Sequence, residues 1–178
     1  MSIPMSSAFK DKLKMIRDAS AKRSEIHLRL RSDEDLVRSQ RTVQAFEFRE
    51  SVEAVIEEFV KNFQSEAPAF VLTRGFFEGK YMLALRLDEE LLNAEGRAGR
   101  YFSRLLFLLD PHPDDGRFVM QCKKTIRNRD LETETNAGTM SAESRTGFAG
   151  FIEAQFIDFA EHYFGENSFS KPAAPATT

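Results

Sequence analysis

The chain has 178 residues, of which 42% are hydrophobic and 30% charged, with a formal net charge of −3, three His and one Cys. That length suits one domain with one core, and the composition excludes a disordered or fibrous chain. No apolar run approaches the roughly 18 residues of a membrane span, so no membrane insertion is expected. The small net charge gives no global attraction to nucleic acid or anionic lipid.

Cys122 is the lone cysteine and has no partner for an internal disulfide. A reducing cytoplasm is therefore the expected compartment, and the first residues lack the apolar run of a secretory signal. Charge is unevenly spread. Residues 1–41 hold ten Lys and Arg against six Asp and Glu, a balance of +4, whereas residues 42–66 hold two against six, or −4. The chain reads as a basic N-terminal arm (1–41), an α+β core domain (42–165) and a disordered tail (166–178).

The first 20 residues predict a helix, capped by Ser6 or Ser7, with a thin apolar stripe of Phe9, Leu13 and Ile16. Residues 25–31 switch to a strand period, since Ile26, Leu28 and Leu30 alternate with His27, Arg29 and Arg31. Ser32 followed by Asp33, Glu34 and Asp35 has the composition of a helix start. Over 36–50 the helix and strand patterns compete. Residues 51–63 predict an amphipathic helix, because Val52, Val55, Ile56, Phe59, Val60 and Phe63 fall on one face. Phe59 is expected to be almost fully buried there. Ala67-Pro68 ends the helix, as the residue before proline avoids the α region.

Residues 69–77 and 80–87 predict a hairpin turning at Glu78-Gly79. Residues 88–94 predict a helical turn, and residues 95–100 a loop. A second hairpin joins residues 101–109 to 117–127 through a turn rich in Pro, Asp and Gly. Residues 128–140 are polar and read as a strand extension or a loop. Ser141 caps a long final helix carrying Phe148, Phe151, Ile152, Phe156, Phe159 and Tyr163, widened by Ile157 and Phe164, with Gly165 at its end. Phe156 is expected to be almost fully buried. The fold class is thus α+β: an antiparallel sheet of four to five strands from two hairpins, packed by an amphipathic helix and a long C-terminal helix.

Chemistry has few footholds. Pro113-Asp114 followed by Gln121-Cys122-Lys123 on a strand resembles the nuclease pattern in which a Pro-Asp pair precedes an acid-x-Lys strand. There, carboxylates hold Mg²⁺ and the lysine stabilises developing phosphate charge. Gln121 stands where that pattern has an acid, and turn chemistry accounts for every residue except Lys123. The resemblance names Asp114 and Lys123 as catalytic candidates. Asp110, His112, Asp114 and Asp115 offer oxygen and imidazole donors for a hard metal ion, in a spacing that an ordinary hairpin turn also explains. His27 and His162 stand alone, and Cys122 reads as a strand thiol. Gly-x-Ser-x-Gly, P-loop and Gly-x-Gly-x-x-Gly motifs are absent, so no cofactor is expected.

Arg97, Arg100, Arg104, Arg117, Lys123, Lys124, Arg127 and Arg129 interleave with Tyr101, Phe102 and Phe118, a composition able to stack bases and contact phosphates. Lys123 and Lys124 point to opposite faces of a strand, however, so these residues do not line one surface, and nucleic acid is not the expected partner. The expected function is a non-catalytic protein-interaction or adaptor module with a protein partner or self-association through the arm. The alternatives are a small apolar-ligand-binding helix-on-sheet domain and a metal-dependent nuclease or hydrolase using residues 110–123.

Overall fold

A computed structural model describes residues 7–172, with side chains from Lys10 onward. Contacts divide the chain into two units, Met1–Thr42 and Val43–Thr178. One helix, α1 (Ser7–Glu66), supplies the described part of the first unit and the opening of the second. Between Met5 and Ala67 there is no Gly or Pro, and the segment is rich in Lys, Arg, Glu, Leu and Ala. Nothing interrupts the backbone ladder, so the helix continues. The strand reading of 25–31 is therefore corrected, the contested stretch to Glu50 is helical, and Ser32-Asp33-Glu34-Asp35 lies mid-helix. A two-residue alternation over so few positions also fits a helix whose sides are all exposed, as Ile26, Leu28 and Leu30 are. Ser6 lies outside the described residues, as does the side chain of Phe9.

Six strands follow: β1 (Val71–Phe77), β2 (Lys80–Leu92), β3 (Ala98–His112), β4 (Arg117–Ile126), β5 (Arg129–Asp130) and β6 (Glu134–Thr139), then α2 (Ala142–Gly165). They form one antiparallel sheet in the order β1-β2-β3-β4-β5, with β6 also paired to β4. The two short strands are the edge that residues 128–140 were expected to make as an extension or a loop. The first hairpin turns through Glu78 and Gly79, both with positive φ (52° and 76°), the backbone that matches strand twist in a two-residue turn.

Residues 88–92 continue β2 instead of forming a helical turn, because β3 is long enough to pair with them from Asp88↔Phe102 to Leu92↔Ala98. Asn93 then shapes the turn, its Oδ1 accepting from the amides of Glu95 and Arg97.

Register decides which residues face the helices. Leu83 and Leu85 of β2, Leu105, Phe107 and Leu109 of β3, and Phe118, Met120, Cys122 and Ile126 of β4 form one core with Phe48, Val52, Ile56, Val60 and Phe63 of α1 and Phe148, Ile152, Phe156 and Phe159 of α2. Both helices therefore cover the same sheet face. Ser141 caps α2, its hydroxyl accepting from the Ser144 amide at 3.3 Å. Phe156 is buried as expected. Phe59 is only half-buried. The buried line follows the row Phe48, Val52, Ile56 and Val60, and Phe59 sits beside it, stacked on Phe156 at 5.6 Å. Ile157 and Phe164 are exposed.

Glu53 and Glu57 fasten α1 to the first hairpin. The Tyr81 hydroxyl donates to Glu53 at 2.7 Å, and Arg74 bonds to both carboxylates. Residues 166–172, expected to be disordered, lie along the sheet: Ser170 bridges Leu92, and Phe169 packs against Tyr101 at 4.8 Å. The rest of the expected tail, 173–178, lies outside the described residues.

Candidate functional site

The hairpin between β3 and β4 tests the nuclease resemblance most directly. Asp114 lies in the turn, whereas Lys123 is six residues along β4 from Arg117, about 20 Å at the strand rise. The hairpin therefore separates this pair. Asp110 meets Lys80 and His112, each at 3.5 Å, and Asp115 meets Arg117 at 3.8 Å. No group of three or more His, Cys, Asp or Glu residues is placed to hold a metal ion among the described residues.

The basic residues of the sheet are largely matched by acids. Arg97 pairs with Glu95, Arg100 with Glu90 and Arg129 with Glu166, each at 3.3 Å. Phe118 is fully buried and offers no stacking surface. Lys123 is placed differently: its ammonium stands 5.5 Å from the centre of the Phe77 ring. Phe77 is on β1 and Lys123 on β4, with β2 and β3 between them, so this contact reaches over two strands on the face opposite the helices. On that face Ala84, Leu106 and Leu108 are buried although no helix contributes to their cluster. Phe102 lies on the same face, with the guanidinium groups of Arg86 and Arg104 at 4.6 and 5.8 Å from its ring.

Rings pack closely between α2 and the sheet. Phe156 stacks on Phe107 at 5.8 Å, Phe148 meets Phe118 at 5.1 Å, and Phe159 meets Phe70 at 5.8 Å. Aromatic residues here supply core burial.

Two buried polar networks did not emerge from sequence patterns. Lys124 shares inward parity with Phe118, Met120 and Cys122, so its side chain enters the core, where it meets Glu134 at 3.0 Å and Asp158 of α2. Burial alone would lower its pKa, but the two carboxylates outweigh that and raise it. Gln155, also buried, donates to Glu134 at 2.9 Å. Gln155 first and Lys124 second hold the Glu134 carboxyl below its ordinary range. Cys122 is enclosed beside them, and burial pushes its thiol up to about 12, far from a reactive thiolate. Strand alternation was the available signal, since it sends the side chain after Lys123 inward.

The second network joins Arg127, in the turn after β4, to Glu89 of β2 at 3.6 Å, with both side chains mostly buried. The Arg127 guanidinium also lies over the ring of Tyr163 at 4.9 Å. Arg127 and Asn128 both have positive φ, 46° and 68°, an uncommon backbone for such residues. Asn128 is held there by its side chain, which accepts from the Phe102 amide at 2.8 Å and donates to the Arg100 carbonyl at 3.0 Å. A cavity of about 600 Å³ opens beside it, lined by Asp88, Glu89, Glu90, Arg100, Tyr101, Phe102 and Asn128. Its charges are already paired: Asp88 with Arg86, Glu89 with Arg127 and Glu90 with Arg100.

The arm presents the opposite situation. Every residue from 10 to 42 is exposed, including Leu13, Met15, Ile16, Ile26, Leu28, Leu30, Leu36 and Val37. No described helix is long and apolar enough to cross a membrane. Comparison with protein-family models, with curated proteins and with solved structures found no match.

Proposed function

We propose that this protein is a non-catalytic interaction module that self-associates through residues 10–42 of α1. The observation that carries this reading is an exposed helical stretch bearing large apolar side chains. Helices in proteins owe most of their stability to burial of an apolar face, not to propensity. The folded core has such burial from Phe48 to Phe63, and the arm does not. An isologous contact, the same surface on two copies, supplies it. The hairpin chemistry supports a non-catalytic reading, since Asp110 and Asp115 are engaged in local pairs and Lys123 stands apart from Asp114. The cytoplasm suits a chain whose single thiol is enclosed.

Sedimentation equilibrium of the full chain over a wide concentration range tests the reading. The expected result is a dimer mass that falls toward monomer on dilution. Ile26→Asp combined with Leu30→Asp should give monomer at every concentration, with the melting temperature of the core unchanged. A wild-type chain that stays monomeric at high concentration overturns self-association.

A further inference from the structure

We infer that the partner of the arm is a second copy of the same helix running antiparallel, with the two-fold axis level with Leu28. This rests on the self-association reading and adds its orientation and register. At 100° per residue, Met15, Ala19, Ile26, Leu30 and Val37 fall within a sector of about 60° and alternate at spacings of four and seven. Met15, Ile26 and Val37 thus recur every eleven residues, as do Ala19 and Leu30. An eleven-residue period is three nearly whole turns, so the stripe runs almost straight along the helix.

Charges border this stripe with the same period. Lys22 and Asp33 lie at one edge of it, Asp33 at the azimuth of Met15, and Arg23 and Glu34 lie beyond the other edge. A two-fold axis normal to the two helix axes brings each border against the same border of the other copy. In the antiparallel register, Lys22 then meets Asp33 of the second copy on one border and Arg23 meets Glu34 on the other, each one residue off level and each pair occurring twice. Level with one another stand Asp18 and Arg38, Glu25 and Arg31, Ile26 and Leu30, and Ala19 and Val37. Across residues 14–42, about 42 Å of helix, no two like charges of Lys, Arg, Asp or Glu fall level. An in-register parallel pair does the reverse: its two-fold axis runs along the helices and sets opposite borders together, Lys22 against Arg23 of the second copy and Asp33 against Glu34. Opposite charges of this kind select register and orientation more than they add affinity.

Charge reversal separates the two geometries, using the full chain and sedimentation equilibrium. Lys22→Glu with Arg23→Glu should weaken the dimer by about tenfold or more, because four attractive contacts become repulsive. Adding Asp33→Lys and Glu34→Lys in the same chain should restore wild-type association. In a parallel pair, reversal at 22 and 23 exchanges one like-charge contact for another, so an unchanged dimer overturns the antiparallel register while leaving self-association standing. A monomeric wild-type chain overturns both. Circular dichroism of each variant should match wild type, as all four positions are exposed.

Discussion

The two parts of α1 share a backbone and differ in what covers them. From Phe48 to Phe63 the row Phe48, Val52, Ile56 and Val60 is buried against the sheet and α2, and Phe48 packs edge-on to Phe118 at 5.1 Å and to Phe148 at 6.0 Å. From residue 10 to 42 nothing described covers the helix, although it carries Ile26, Leu30 and Val37. The contrast lies in density of large apolar groups. The covered part brings one to every turn at steps of four and three. The bare part alternates them with Ala19 and with charges, so its stripe is narrow. A narrow, straight stripe matches another helix better than it matches a sheet, whose broad face needs a wider apolar surface.

The largest expected effect falls on the covered part. Phe48→Ala should cost about 3–5 kcal/mol in chemical denaturation, the range for emptying an aromatic core site. A loss below about 1 kcal/mol would mean that the covered part of α1 is as dispensable to the fold as the bare one.

A smaller effect belongs to the polar network under α2. The Glu134 carboxyl is held below its ordinary value by Gln155 and Lys124. A carboxylate depressed by folding gives stability that is present above its unfolded value, about 4.3, and is lost as pH falls through the lower folded value. The melting temperature should drop on acidification below about pH 4, and Gln155→Leu should make that drop shallower. Equal acid limbs for both proteins would show that Gln155 fills space without holding Glu134 ionised. The smallest effect is on the bare part, where Leu30→Ala should change core stability by less than about 0.5 kcal/mol. A larger loss would show that the arm is needed for folding and not only for association.

Some of this was legible at the level of single segments. The stripe at 51–63, the two hairpin turns, the capping Ser141 and the aromatic row of α2 each follow from local spacing, because helical and strand periods and turn residues act over a few positions. The candidate site was less legible. Asp114 and Lys123 are near in sequence, but a strand carries residues apart at about 3.3 Å each, so proximity along the chain misleads there. Lys124 shows the opposite case: its inward parity was available from alternation, while its partners Glu134 and Asp158 lie 10 and 34 residues away.

By itself the sequence determined the α+β class, the amphipathic faces and the absence of a Gly or Pro break from Met5 to Ala67, all of which depend on backbone propensity and local periodicity. Only the tertiary structure decided that β2 runs on to Leu92, that Phe59 sits beside the buried line and that residues 10–42 are bare. Those outcomes depend on which long-range partner each segment meets: β3 extends β2 by pairing with it, and burial of an apolar side chain is set by what packs across from it and not by its neighbours in the chain.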